Sequence, residues 1–337
     1  MDRDQLAFTP AVRLAEMIRT KQISPVEAMR TLLERIQALE PRVNAFAHLA
    51  ADQAMEAARQ AETELMQGRR IGRLHGVPVT IKDLTITKDM PTQMGSLIFK
   101  DHQPTEDGPI VPRLRDEGAI ILGKTATPEF GWTGVSHSPL TGITHNPWKH
   151  GYNAGASSAG AGAAAAAGFG PLHQGSDGAG SIRMPSHFCG VFGLKPSFGR
   201  VPYYPVGVGD YTSHIGPMTR TVADAALFLH VIAGPHPVDH TTSEAGPADY
   251  PARLHDGVRG KRIAWSPDLG HARVDPEVAA LTKRAALRFA GLGATVEEVP
   301  TPWGPQGAEL IGPFWSAHMS RLAQYLPKWE AQMDPGL

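Results

Sequence analysis

A single cysteine, Cys189, is the only thiol in 337 residues, which excludes an intrachain disulfide and a thiolate metal cluster and suits a reducing compartment. Neither sign of charge is in excess. With 32 Lys and Arg against 33 Asp and Glu, the chain has no basic footprint for nucleic acid or an anionic membrane. Long runs of large aliphatics are missing as well. From Gly151 to Ser176 there is no Asp, Glu, Lys or Arg, but the stretch is mostly Ala, Gly and Ser, broken by Pro171 and His173, unlike a membrane-spanning helix. The opening MDRDQLAF has acids where a secretory leader needs a basic and then an apolar region, so the expected location is cytoplasmic. Among 15 histidines there is no H-E-x-x-H and no Cys/His cluster, so neither a metal nor another cofactor is expected. His137, His145 and His150 read as polar loop residues. The G-x-S-x-G elbow and the S-x-x-K motif do not occur, which removes two common serine-hydrolase plans.

What remains is a chain at 42% hydrophobic, enough to bury a substantial core. About residues 1–66 read as a helical layer: TPAVRLAEMIRTKQ, then SPVEAMRTLLERIQALEP with Ser24 as N-cap, Pro25 at the first position and Glu27 completing a capping box, then a helix from Ala51 to Met66. From about residue 71 to 337, short apolar runs bounded by Gly and Pro alternate with helical stretches. PIVPRLRDEGAIILGKT reads as helix then strand, RTVADAALFLHVIAG as a helix, and KRIAWS and TVEEVP as strands around another helix. This alternation predicts one α/β domain over 1–337, its sheet covered by helices on both faces. Gly234 to Gly260 is polar and aperiodic, a surface excursion.

Residues Gly118 to Thr125, GAIILGKT, match the phosphate-loop pattern G-x-x-x-x-G-K-[ST]. The four intervening residues are Ala and large aliphatics, the composition of a buried strand, and Pro128 follows where the helix of a nucleotide site should continue. The string is assigned to a strand and its exit turn.

The small-residue segment AGASSAGAG is followed by SDGAGSIRMP and then FCGVFGLKPS. Upstream stand GVPVTIKDL, GAIILGKTATPEFGW and HNPW, and downstream IGPMTRTVADA. In this order the segments resemble the amidase signature family, from Leu14 to the end. The resemblance implies a large, mixed, twisted sheet and a cofactor-independent amide hydrolase whose catalytic residues fall on Lys82, Ser157 and Ser181, with Ser157 following a cis peptide. The intervals of 75 and 24 residues agree with the family. It departs at Ala154 for proline, at Ala156, Ala159 and Ala179 for glycine and at Ala161 for serine, all still small.

The residue types fit the chemistry. A serine hydroxyl needs a base, no histidine holds a matching position, and Lys82 serves only when neutral. Moving its pKa from near 10.4 toward 7 takes about 4 kcal/mol of bias against the charged form, which burial supplies. The amides of Gly178, Ala179, Gly180 and Ser181 are the candidate oxyanion hole. Ser158 is expected to support the relay by hydrogen bonding, Asp177 and Arg183 to pair and hold the turn, and Met90, Met94, Phe130, Trp132 and Tyr204 to line the substrate pocket.

The substrate implied is a small neutral aryl or alkyl amide, with carbamates and esters open to the same attack. Two other readings stand beside it. One is the glutamine-hydrolysing subunit of a tRNA-dependent amidotransferase, although YTSHIGP and Met184 replace residues usual there; the other is an inactive binding protein on the same scaffold. No nucleic acid or membrane partner is expected, and a homo-oligomer is compatible. The ending WEAQMDPGL stops where family members generally continue, so a further segment completing the core and one pocket wall is expected.

Overall fold

The computed structural model describes residues 2–206, 210–246, 248–300 and 306–337. The chain forms two compact units, Met1–Pro251 with Trp329–Leu337, and Ala252–Lys328. The first opens with α1 (Arg3–Ala7), α2 (Ala11–Arg19), α3 (Pro25–Val43), β1 (Phe46–Leu49) and α4 (Ala51–Met66). It continues through β2 (Pro78–Lys82), α5 (Ile110–Asp116) and β3 (Ile120–Thr125) to four short strands, β4 (His137–Ser138), β5 (Gly142–Ile143), β6 (His145–Asn146) and β7 (Lys149–Asn153). Then come α6 (Ala159–Ala167), β8 (Leu172–Asp177), α7 (Arg183–Cys189), β9 (Phe192–Gly193), β10 (His214–Thr219) and α8 (Val222–Ile232).

Six strands make a mixed sheet in the order β1-β3-β2-β8-β10-β9. The central strand β2 runs parallel to β3 and β8, and the other pairs are antiparallel. Side-chain alternation divides the interior in two. Val79, Ile81 and Ile121 pack with Ile110 and Leu114 of α5 and with Leu227 and Phe228 of α8. Ile120 and Leu122 pack with Met29 and Ile36 of α3, Ala54 and Ala58 of α4 and Ala163 and Ala164 of α6. The sheet is therefore covered on both faces, and it has the mixed character expected of it.

Two local details differ from the sequence reading. The stretch read as a helical layer contains β1, which supplies the edge strand of the sheet. In α3 the Ser24 hydroxyl accepts from the Glu27 amide at 3.0 Å as expected. The helix, however, carries Pro41 inside its last turns and closes at Asn44, whose left-handed φ of 55° breaks the helical path.

Val79 pairs with Ile121 and Thr80 with Gly123, so Leu122 is an extra residue, a β-bulge. Beyond it Lys124 lies opposite Ile81 and Thr125 opposite Lys82.

Helix α6 explains the run of alanines and glycines. Its residues are buried except Ala166, which is half-buried, and its neighbours are β2, β3, β8, β10, α3 and α7. A side chain at Gly160 would collide with the backbone of Ala45 and Ala126, so only glycine lets the helix come this close to β3.

The second unit holds β11 (Arg262–Trp265), α9 (Pro276–Gly291), β12 (Thr295–Glu298), α10 (Gly307–Met319) and, at its boundary, α11 (Leu326–Trp329). β11 and β12 pair in parallel as a sheet of their own. The sequence reading put them in the same alternation as the earlier strands. Half-exposed residues along both explain why they form a small separate layer.

Candidate active site

Lys82 ends the central strand, where all five residues of β2 are buried. Its own exposure is 0%. Its Nζ donates to Ser157 Oγ at 2.7 Å and to Ser176 Oγ at 3.0 Å, and its backbone amide donates to Gln174 Oε1 at 2.9 Å. Burial lowers its pKa to about 7, while the negative charge of Asp177 pulls the other way. The nearby histidine of β8 is a different case. His173 is buried between the Thr80 hydroxyl (2.9 Å) and the Gly170 carbonyl (3.0 Å), and burial pushes it down to about 3, so it is a neutral core residue.

Ser157 precedes α6, and the Ala156–Ser157 peptide bond is cis. Gly131, with φ of 70°, lies so close that an added Cβ would stand 3.0 Å from Ser157 Oγ. Ser158 ties the site together without touching Lys82. Its hydroxyl donates to the Ser176 carbonyl and accepts from the Ser176 amide, both at 3.1 Å, and its amide donates to the Ser181 carbonyl at 3.2 Å.

Ser181 stands in the turn between β8 and α7, half-buried. Among the described residues its hydroxyl makes no hydrogen bond, so the link to Ser157 is the backbone bond through Ser158. Asp177 organises this turn. It accepts from Arg183 Nε at 3.0 Å and Nη2 at 2.9 Å, and from the amides of Gly180 at 2.7 Å, Ile182 at 3.1 Å and Arg183 at 3.3 Å. Burial works to raise the Asp177 pKa; the bonds from Arg183 and from the Gly180 and Ile182 amides outweigh it and hold the carboxyl at about 2.

These bonds correct one expectation. The Gly180 amide is occupied by Asp177 and does not belong to an oxyanion hole in this arrangement. The amides of Gly178, Ala179 and Ser181 carry no hydrogen bond among the described residues and remain as donors.

The pocket residues separate. Met90 is a correction: it is 2% exposed and packs in the core with Ile110 and Val111, because the chain after Lys82 folds back onto α5. Met94 and Phe130 do adjoin the site. Met94 donates its amide to the Asp83 carbonyl at 3.1 Å and accepts from the Phe130 amide at 2.8 Å, and Phe130 leads directly into Gly131. Trp132 is half-buried with Gly336 pressed against its indole. Tyr204 donates its hydroxyl to Glu106 at 3.1 Å, and among the described residues no hydrogen bond ties it to the serines. Met184 reaches the site instead, its side chain packed on Gly134 and facing Gly180.

Sequence reasoning missed three groups. Ser176, the second hydroxyl on Lys82 Nζ, looks in the sequence like one more small residue; its signal is its place next to Asp177 at the strand end. Glu129 is fully buried, accepts from Ser96 Oγ at 2.5 Å and from the Asp334 amide at 2.6 Å, and so anchors the C-terminal residues beside Trp132. Its pKa is raised by burial, against those hydrogen bonds.

The third is Lys124, hidden inside the string that imitates a phosphate loop. The bulge at Leu122 turns it toward the loop that follows Lys82. Its Nζ donates to Thr85 O at 2.7 Å, Thr92 Oγ1 at 2.6 Å, Thr87 Oγ1 at 3.3 Å and Pro91 O at 3.4 Å, and lies 3.8 Å from the Asp83 carboxylate. Both charges are fully buried. Burial pushes Lys124 down and Asp83 up, and each charge resists the shift of the other.

A neutralisable lysine and two serines, set where a mixed sheet meets the starts of the buried helix α6 and of α7, define the amidase signature fold. The family model described as Amidase matches residues 27–334, and the chain belongs to that family. It is 41% identical over 316 residues to an acylamidase of Rhodococcus erythropolis, covering 94% of this chain and 66% of that one. It is 38% identical over 299 residues to a glutamyl-tRNA(Gln) amidotransferase subunit from Moorella thermoacetica, covering 88% and 61%. The solved structure of a bacterial aryl acylamidase of the amidase signature family superposes with a TM-score of 0.90 at 32% identity, over 98% of this chain and 71% of that one. The chain thus spans about two thirds or less of the length of these two curated relatives.

Proposed function

We propose that the chain carries the catalytic centre of a cofactor-independent hydrolase of small neutral aryl or alkyl amides. The observation that carries this is the 2.7 Å contact between the buried amine of Lys82 and Ser157 Oγ. Neutral Lys82 takes the Ser157 proton, Ser157 takes the Ser181 proton, and Ser181 Oγ bonds to the amide carbon. The carbonyl oxygen becomes an oxyanion facing the Gly178, Ala179 and Ser181 amides. On collapse the C–N bond breaks, and the proton returns from Lys82 through Ser157 to the leaving nitrogen. Water then attacks the acyl-Ser181 ester by the same route in reverse, releasing the acid. The Ser181 hydroxyl rotates toward Ser157 for the first transfer, which its lack of a competing bond permits. Carbamates and esters are open to the same steps.

Similarity to an acylamidase and an aryl acylamidase supports an acyl amide as substrate. The glutamine-hydrolysing role in an amidotransferase is the second reading, favoured by the 38% identity and opposed by Met184, which fills space between Gly134 and Gly180. Recovery of the other amidotransferase components in a pull-down would select it. No helix of the described residues is long and apolar enough to cross a membrane. We place the protein in the cytoplasm, acting on small molecules.

A fluorophosphonate is expected to modify Ser181, with the adduct found by peptide mass spectrometry, and a panel of anilides, short aliphatic amides, glutamine and aryl carbamates to show fastest turnover for an apolar acyl amide. An unlabelled Ser181 would support the inactive binding protein instead. The pH profile is a separate check. Because burial brings Lys82 to about 7, the base is protonated below that value, and kcat/KM should rise through pH 7 and level off above it. Asp177, held at about 2, stays ionised throughout and adds no second limb. A flat profile between about pH 5.5 and 8.5 would remove Lys82 from its role.

A further inference from the structure

Helices α6 and α7 both begin beside the catalytic serines, and both end at one cavity of about 450 Å³ that none of Lys82, Ser157 or Ser181 lines. That volume lies in the range of small-molecule sites. Its wall contains Arg35, Arg42 and Arg220 and no Asp or Glu. Arg35 Nε donates to the Ala167 carbonyl at 2.8 Å, and Arg220 Nη1 donates to the carbonyls of Ala165 at 2.9 Å and Gly170 at 2.8 Å. A helix C-terminus ordinarily repels an anion. Here two guanidiniums cover the last carbonyls of α6 and reverse the sign of that wall. Both also lie over the Phe8 ring, at 4.8 and 5.2 Å from its centroid, which concentrates like charge in one place.

The charge is only partly compensated. Arg35 has one carboxylate partner, Asp4 at 2.6 Å, itself 82% exposed. Arg42 has neither a salt bridge nor a side-chain hydrogen bond among the described residues. Apart from Asn146 and His150 the remaining surface is mostly apolar, with Phe8, Leu39, Val43 and Val191, and Trp148 stands over it. Trp148 is 75% exposed, yet its indole is fixed by a 2.8 Å bond from Nε1 to the Cys189 carbonyl. An immobilised aromatic face in water, beside an acid-free arginine wall, suits a ligand with a flat apolar body and one negative charge.

We infer that this cavity is a second binding site, for an aryl or alkyl monocarboxylate whose carboxylate meets Arg42 and Arg220 and whose body rests on Trp148 and Phe8. Two sources supply such a ligand: the acid released by the hydrolysis proposed above, and carboxylates formed elsewhere. The site stands on its own residues and does not need that hydrolysis to be right.

The test is ligand-observed NMR titration of the whole chain with 4-phenylbutyrate, benzoate and the acid half of its fastest-hydrolysed amide. Binding should persist after Ser181 is blocked by a fluorophosphonate, or in Ser181→Ala if the label does not attach. It should weaken at least tenfold in Arg42→Gln and in Trp148→Ala, and the neutral 4-phenylbutyramide should not compete at this site. Tighter binding of the enzyme's own acid would assign the product as the source, and equal or weaker binding would assign carboxylates of other origin. No saturable binding at millimolar ligand, binding abolished by blocking Ser181, or binding unchanged in both variants would each overturn the inference.

Discussion

Lys82→Met is expected to lower kcat/KM by about 10⁴-fold or more while leaving thermal stability equal to or above that of the parent. The two halves of this outcome come from one fact. A lysine with 0% exposure is costly to bury, and methionine fills the same volume without that cost. Ser157 and Ser176 lose their shared amine partner but keep each other's neighbourhood through Ser158. Activity assays and melting curves on the same preparation check both. A variant that melts early, or that turns over at near-parent rate, would contradict the role given to Lys82.

Lys124→Met should instead lower stability. Removing this amine leaves Asp83 buried without its cation and deprives Thr85, Thr92, Thr87 and Pro91 of a common donor. Breaking one side of a buried pair costs about 3 to 5 kcal/mol, so urea unfolding should shift to markedly lower midpoint. The loop held by Lys124 also carries Met94, whose carbonyl receives the Phe130 amide next to Gly131 and Ser157. Activity should therefore fall along with stability. Lys124→Met with Asp83→Leu should recover much of the stability, because no charge then stays unpaired. Full stability in the single variant would show that the cluster is not a structural knot.

These two lysines also show what the sequence made legible. Lys82 was readable because its motif keeps a fixed interval to two serines, and because a lone cation in GVPVTIKDL has little reason to be in a buried strand except chemistry. Lys124 sits in an equally apolar strand but in a string that imitates a nucleotide loop. Composition showed that it was a strand; the partners of its amine come from residues 83 to 92, brought together only by folding. Helix α3 was visible from capping and periodicity, whereas β1 was hidden as four residues between two helices. Asp177 and Arg183 could be paired from their places around one turn. That the Gly180 amide would be taken by Asp177 was not readable, since it depends on which way a glycine peptide turns. Met90 failed for a related reason: an apolar residue a few positions after Lys82 looks alike whether it faces a pocket or the core.

The extra residue at Leu122 has a consequence for how this gene can change. Because strand faces alternate with a period of two, the bulge decides on which side Lys124 emerges: pairing the strand straight through, with Leu122 opposite Thr80, would bring Lys124 opposite Lys82 and drive a second ammonium into the alanine-packed side of the sheet. Loss of Leu122 itself leaves Gly123 opposite Thr80 and Lys124 opposite Ile81, so a single-codon deletion there forfeits the packing of one leucine and keeps each lysine on its own side of the sheet.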